Sequence, residues 1–340
     1  MLHDKLGQLL NQIKNPDKRN WILMAPNSLG ETATVCGLAN SFIEKHGHGI
    51  TLVIPQSHAF IPECFPNTFD RIVYLDLAVM RQFSESGFIP QNFFCVDFPI
   101  NTWPKQNGDG RTFEIYERWL ETAGCAGLNF IDLYRYILRL DWTSKFTLAQ
   151  VPEKSYIKAN KIIEDLNIKR DRTVVFFVGA NTNKPAPAYL WERMARLYSE
   201  KGYDVVINKY GAMLLPEGLS IHGAKVIDIE LDVAIPICEY AGNVVSNASG
   251  IIFFALTANI NCKMDVFLPT EVCYDWSNFK FKAMNPMWGC HQLGIPELTC
   301  NAKNLKEWVM PVQHDTQIYD EIADGVVFDV NNQHAITSQC

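Results

Sequence analysis

Short apolar runs alternate with amphipathic segments along this chain, in lengths typical of buried strands followed by helices. The clearest unit spans residues 173–207. Val174 to Val178 is an unbroken, β-branched apolar run, as in a buried parallel strand. The loop GANTNKPAP follows, Pro187 stands where a helix can begin, and Gly202 stands where a helix can end. Apolar residues repeat at helical spacing between them, at Leu190, Met194, Leu197 and Tyr198.

The same alternation predicts further elements on both sides of this unit. Predicted strands are 21–25, 50–54, 71–75, 93–98, 205–207, 226–229, 244–245 and 264–268, and predicted helices are 32–45, 156–166, 233–241 and 251–258. Strands separated by helices indicate parallel sheets with helices on both faces. Residues 1–20 form an amphipathic pattern that either packs on the first domain or lies on a membrane surface. The pattern after Pro269 predicts no clear element.

A chain of 340 residues is long enough for two α/β domains. The periodicity breaks at Lys145 to Ser155, which carries Pro152 and is the best candidate for a linker. We therefore expect two α/β domains, 1–150 and 151–340.

Composition narrows the classes of function. The chain is 48% apolar and 20% charged, which is typical of an ordered globular protein, and its net charge of −7 argues against nucleic acid as a partner. The 10 cysteines show no metal-ligand spacing, which indicates reduced thiols in the cytoplasm. No apolar run is long enough for a membrane span, and the N-terminus lacks a signal-peptide core. We expect a cytoplasmic protein with peripheral contact to the inner membrane.

Two strand-to-helix turns in the second half could bind phosphate, because helix N-termini offer free N–H groups to anions. They are GANTNK and SNASG, residues 179–184 and 246–250. The turns lie in one predicted sheet, where parallel strands place ligands outside their carboxyl ends. The alternative is a plain connecting loop with a solvated lysine. The candidate donor-binding residues are Asn181, Thr182, Asn183, Lys184, Asn247, Ser249 and Gly250.

The first half offers a candidate base. Glu31 lies at a predicted loop-to-helix junction, where it could deprotonate an acceptor hydroxyl or simply interact with the helix dipole. Arginines lie among dense aromatic residues between 83 and 146, where they either contact a sugar and its acidic groups or cover solvated helix faces. They are Arg111, Arg118, Arg135 and Arg139.

Other chemistries lack their motifs. The chain has no G-x-S-x-G elbow, no H-E-x-x-H, no Walker phosphate loop and no G-x-G-x-x-G fingerprint. Asp228, Glu230 and Asp232 alternate near a strand end, where they are either exposed acids or ligands for a divalent cation. We expect no metal and no cofactor, because Lys184 and helix N-termini can stabilise a leaving diphosphate themselves.

Three runs resemble the ADP-heptose:lipopolysaccharide heptosyltransferase family. They are ILMAPNSLGETATVCGLANSFIEKHG, GANTNKPAPAYLWERMARLYSEKGYDVVI and IPICEYAGNVVSNASGIIFFALTANINCKMDVFLPT. The resemblance implies the α/β GT-B fold, with two Rossmann-like domains facing across a cleft. It implies an N-terminal domain on the acceptor side, 1–150, and a C-terminal domain that binds the nucleotide sugar, 151–340. It also implies transfer of a sugar with inversion and without a metal.

Residue by residue, SLGE is similar to the family's S-L-G-D, which implies that Glu31 is the general base. Lys184 falls at the family's phosphate-binding lysine, and Ser249 and Gly250 match its D-[ST]-G-x-x-H turn. Ala248 replaces the aspartate of this turn, which contacts the donor sugar in the family, and Phe253 replaces its histidine. The fold inference survives these departures, whereas ADP-heptose as the donor does not.

We therefore expect a metal-independent, inverting glycosyltransferase that moves a sugar from a nucleotide-sugar donor to a hydroxyl of a bacterial surface glycan, such as lipopolysaccharide or capsule. The acceptor is a glycan or glycolipid, with Ser28, Gly30 and Arg111 as candidate contacts. One alternative is a GT-B epimerase or hydrolase acting on nucleotide sugars. Another is a degenerate family member that binds a nucleotide without turnover.

Overall fold

The computed structural model describes residues 20–25, 28–80, 93–95, 130–180, 184–209, 211, 214–258, 260–275, 280–283, 305–311, 315–329 and 335–337. The chain divides into two compact units, Met1–Gln150 and Val151–Cys340. Each unit contains a parallel sheet of its own, as the alternation of strands and helices predicted. The predicted helix within residues 1–20 lies outside the described residues.

The first unit contains, in chain order, β1 Trp21–Met24, α1 Leu29–His46, β2 Ile50–Pro55, a 3₁₀ turn Gln56–His58, α2 Phe60–Glu63, β3 Arg71–Leu75, β4 Phe93–Cys95 and α3 Phe130–Ile137. Its strands form a four-stranded sheet of order β3-β2-β1-β4, with every pairing parallel. Of the two inner strands, β2 is buried along its whole length.

The second unit contains, in chain order, α4 Glu153–Asp165, β5 Thr173–Phe177, α5 Ala188–Glu200, β6 Asp204–Asn208, β7 Lys225–Ile227, α6 Leu231–Ala241, β8 Gly242–Asn247, α7 Gly250–Thr257, β9 Lys263–Leu268, β10 Glu271–Asp275, β11 Lys280–Ala283, β12 Leu305–Val309, α8 Thr316–Phe328 and β13 Ala335–Thr337. It is built on a seven-stranded sheet of order β13-β12-β9-β8-β5-β6-β7, in which only β13 runs antiparallel to its neighbour. A separate hairpin pairs β10 with β11.

Helices cover this sheet in two pairs, α5 against α8 and α4 against α6. Trp191 of α5 is fully buried between Phe176 and Phe267, with ring centroids 5.3 and 5.2 Å away. Its indole N–H donates to the carbonyl of Ala186 at 3.1 Å, just before the helix begins. Because removing a buried tryptophan side chain costs about 3–5 kcal/mol, this residue fixes α5 and the end of the loop before it.

Among the described helices, none combines the length and apolar character that a membrane span requires.

Candidate functional site

The two predicted phosphate turns start from neighbouring strands. β5 and β8 pair in parallel, but β5 leads to β6 on one side and β8 leads to β9 on the other. The connections therefore diverge at the carboxyl ends of β5 and β8, which is where ligands bind in open parallel sheets. The turns in question are the segment between β5 and α5 and the segment between β8 and α7.

Asn247, one of the predicted donor-binding residues, joins these two turns. Its buried side chain donates from Nδ2 to the Val178 carbonyl at 2.6 Å and accepts the Ala186 N–H on Oδ1 at 3.0 Å. The amide thus ties both ends of the loop after β5 to the end of β8. Its observed role is to shape the site.

Ser249 lies immediately before α7 with an extended backbone, at φ −149° and ψ 162°. Its hydroxyl makes no capping bond, and Oγ is buried without a hydrogen-bond partner among the described residues. The N–H groups of Gly250 and Ile251, in the first turn of α7, lack intrahelical acceptors by their position. A hydroxyl and two N–H groups at a helix N-terminus are the donors that a phosphate oxygen needs.

The two departures from the family pattern place apolar groups beside this turn. Ala248 is 4% exposed, and its N–H donates to the Phe267 carbonyl of β9 at 3.0 Å. Phe253 is half-buried on α7, whose sequence GIIFFALT carries no charged side chain. The described part of this turn therefore offers a ligand backbone N–H groups and the Ser249 hydroxyl.

Lys184 carries the cation predicted for the donor phosphates. Its Nζ forms an ion pair with Glu271 Oε2, and its backbone N–H donates to the Glu271 carbonyl at 3.1 Å. The lysine side chain is 50% exposed, so it can still reach a ligand. Glu271 begins β10 and did not emerge from the sequence analysis. Asn181, Thr182 and Asn183 of this turn, like Arg111 of the first unit, lie outside the described residues.

In the first unit, Glu31 takes part in a capping box with Ser28. The Ser28 N–H donates to Glu31 Oε2 at 2.7 Å, and the Glu31 N–H donates to Ser28 Oγ at 3.4 Å. Helix α1 therefore begins at Leu29 rather than at the predicted Thr32, and Gly30 is buried in its first turn. The structure thus gives Glu31 a role at the N-terminus of α1. One of its carboxylate oxygens, Oε2, accepts a hydrogen bond from the backbone of the turn.

His58 is a polar residue of the same sheet edge that the sequence analysis missed. It lies in the turn that follows β2, and β2 is the neighbour of β1 in the sheet. Its Nδ1 lies 2.8 Å from Oγ1 of Thr32, the residue that follows Glu31 in the chain. Burial lowers the pKa of His58 to about 4, so its ring is neutral at pH 7. Its position in the short turn that follows a buried strand was the available signal.

Two other groups of candidate residues have structural partners. Glu230 and Asp232 both bind Lys158, at 2.5 and 3.0 Å, and the described residues hold no group of three His, Cys, Asp or Glu side chains suited to a metal ion. Arg135 is buried, which corrects both interpretations of this arginine. Its guanidinium binds Asp132 at 2.8 Å and the Ser144 carbonyl.

Comparison with known proteins identifies the fold. No protein-family model and no curated protein sequence matches the chain. Among solved structures, a glycosyl transferase family 9 protein of Veillonella parvula is 12% identical, with 90% of this chain and 91% of that chain covered and a TM-score of 0.55. The ADP-heptose lps heptosyltransferase II of E. coli is 11% identical, with 91% and 99% covered and a TM-score of 0.53.

The chain has the fold of these glycosyltransferases. Both likenesses extend over nearly the whole of each chain, at identities where the fold is what is shared. The predicted resemblance to the heptosyltransferase family and the predicted GT-B class of two Rossmann-like domains are thereby confirmed at the level of the fold.

Proposed function

We propose that the chain is a glycosyltransferase that moves a sugar from a nucleotide-sugar donor to a hydroxyl of a bacterial surface glycan, such as lipopolysaccharide or capsule. One observation carries the proposal. At the carboxyl ends of β5 and β8, a buried hydroxyl without a described partner, Ser249 Oγ, adjoins the N-terminus of α7. A buried polar group without a partner is costly in a folded protein, and a ligand oxygen would satisfy it.

In this proposal the second unit binds the donor. The diphosphate is bound by Ser249, by the first N–H groups of α7 and by Lys184. These groups stabilise the negative charge that grows on the diphosphate as its bond to the sugar breaks. The loop residues Asn181, Thr182 and Asn183 complete this set. Because the Ser249 hydroxyl and the N–H groups of α7 are fixed in place before the reaction, they stabilise the leaving group without a metal ion.

The first unit supplies the acceptor side. Glu31 takes the proton of the acceptor hydroxyl as its oxygen attacks the anomeric carbon on the face opposite the diphosphate. The new bond therefore has inverted configuration. Ser28, Gly30 and Arg111 are the proposed acceptor contacts, and the protein acts in the cytoplasm, in peripheral contact with the inner membrane.

The test is product analysis with a panel of nucleotide sugars, each incubated with and without fragments of lipopolysaccharide or capsule. A transferase consumes its donor only when the acceptor is present, and NMR of the new anomeric centre reports inversion. Consumption without an acceptor would favour an epimerase or hydrolase instead. Parallel reactions with a chelator test whether transfer is independent of metal ions. If the chelator abolishes transfer and magnesium or manganese restores it, metal independence is contradicted.

The capping box favours a second candidate, a protein that binds a nucleotide sugar without turnover. The Glu31 carboxylate accepts a hydrogen bond from the Ser28 N–H, so it stabilises the N-terminus of α1 whether or not it also acts as a base. This candidate predicts saturable binding of a nucleotide sugar, measured by calorimetry, together with an unchanged donor and acceptor after prolonged incubation.

A further inference from the structure

The cation proposed for the donor phosphates already has an anionic partner. Glu271 pairs with Lys184 through both its carboxylate and its carbonyl, so two independent contacts hold the residues together. Glu271 follows β9, and β9 is the neighbour of β8 in the sheet. The carboxylate therefore belongs to the same sheet edge as the turn around Ser249. Its side chain is 20% exposed, against 50% for the lysine.

This pairing changes the electrostatics of the site. An anion that approaches Lys184 meets a charge that Glu271 has already balanced, and it is repelled by the carboxylate as it is attracted by the lysine. Because Coulomb repulsion is proportional to the charge of the anion, the penalty is larger for an anion that carries more charge.

Donor and product of the proposed reaction differ in charge. A diphosphate esterified to a sugar lacks the terminal phosphate ionisation, which has a pKa near 6 in phosphate monoesters. At pH 8 the free nucleoside diphosphate therefore carries about one negative charge more than the nucleotide sugar from which it came. Repulsion by Glu271 weakens binding of this product more than binding of the donor.

We propose that Glu271 is a specificity-determining residue that makes the site favour a nucleotide sugar over the free nucleoside diphosphate, by competing with the diphosphate for Lys184. This inference rests on the proposed function. In it, Glu271 speeds release of the product and limits product inhibition. The alternative role for Glu271 is to hold Lys184 in place for the ligand, and this role predicts the opposite effect of a substitution.

Inorganic pyrophosphate tests the competition without assuming a nucleotide base. Calorimetry at pH 8 compares the wild type with Glu271→Gln, Lys184→Met and the double variant. We expect Glu271→Gln to bind pyrophosphate at least about fourfold more tightly, which is the effect of one charge at about 5 Å in a watery environment. We expect a smaller gain in the Lys184→Met background, where the direct repulsion by Glu271 remains but the competition for the lysine is gone. Unchanged or weaker binding by Glu271→Gln would overturn the proposal, as would the absence of pyrophosphate binding by every variant.

Matched nucleotides then test the discrimination. The probes are ADP with ADP-glucose and UDP with UDP-glucose, since each pair shares a base and a diphosphate. We expect Glu271→Gln to raise affinity for the diphosphate several-fold more than affinity for the sugar nucleotide. Equal gains for both members of a pair, or binding of neither pair, would refute the discrimination.

Asp141→Asn is the matched control, because Asp141 also forms a single ion pair with a lysine, Lys45, but in the other unit. It should leave every affinity unchanged, and melting temperatures verify that all variants fold. Failure of the proposed function would leave transfer absent in the wild type and in Glu271→Gln alike. Failure of this inference alone would leave transfer intact, with the ratio of product to donor affinity unchanged.

Discussion

Replacing Glu31 by glutamine separates the two roles that its position allows. The Ser28 N–H donates to Glu31 Oε2 at 2.7 Å, and glutamine offers an amide oxygen in the same place. The capping box can therefore persist, whereas the side chain can no longer accept a proton. If Glu31 is the base, turnover at saturating donor and acceptor should fall by about 10²- to 10⁴-fold.

The expected change in stability is small and follows from the same contact. Glu31→Gln loses only the interaction of a charge with the N-terminus of α1, about 0.3–1 kcal/mol of unfolding free energy. Glu31→Ala also loses the hydrogen bond to Ser28, for a total of about 1–2 kcal/mol. At this domain size, 1 kcal/mol corresponds to a melting shift of about 2–4 °C.

The assay measures initial rates and melting temperatures for both variants and for a matched control, Asp315→Asn. Asp315 caps α8 by accepting the N–H groups of Gln317 and Ile318. The same change from acid to amide there should cost similar stability and leave turnover near normal. If Glu31→Gln keeps more than about a tenth of wild-type turnover, Glu31 is a helix cap and the proposed base must be abandoned.

Three further substitutions have expected outcomes. Ser249→Ala should weaken binding of nucleoside diphosphates, measured by calorimetry. Its melting temperature should be unchanged or higher, because the substitution removes a buried hydroxyl without a described partner. A large loss of stability would show instead that the hydroxyl is structural. Burial raises the pKa of Asp265 from an ordinary value of 3.8 to about 6, although Lys263 and Lys306 face it. Its ionisation should therefore lower the free energy of unfolding by roughly 3 kcal/mol as the pH rises from about 4 to 6. Relative to the wild type, Asp265→Asn should therefore gain stability as the pH rises from about 4 to 6 in urea titrations at stepped pH, and an unchanged difference would contradict the assignment. His58 has the opposite sign, because its lowered pKa makes the native state lose stability as the pH falls from about 6.5 to 4, so the two contributions offset each other in the wild type. Relative to the wild type, His58→Gln should gain stability as the pH falls over this range.

Local patterns predicted much of the fold. The run at β5 and the helical spacing in α5 are properties of neighbouring residues, so they could be recognised without knowledge of the rest of the chain. The start of α1 was missed although its signal was present. Ser28 and Glu31 have the spacing of a capping box, which places the helix start at Leu29 rather than at Thr32.

The site was predicted less completely because its decisive contacts are distant in sequence. Lys184 and Glu271 are 87 residues apart, and no periodicity connects a loop lysine to the first residue of a hairpin. Asn247 was predicted as a donor contact from its place in the turn alone, and its observed bonds to Ala186 and Val178, 61 and 69 residues away along the chain, could not be predicted in that way. Such pairings depend on strand order, which the alternation of strands and helices does not determine.

The side-chain hydrogen bonds of Asn247 hold the two ends of the loop after β5, at Val178 and Ala186. Val178 and Ala186 are held by one side chain that belongs to another strand, so this anchor is independent of the residues between them. Lengthening a loop between fixed ends is inexpensive, at about 0.6 kcal/mol for each doubling. Loops of other sequence can therefore be grafted between these anchors, and under the proposed function this segment is the place to redesign the choice of donor.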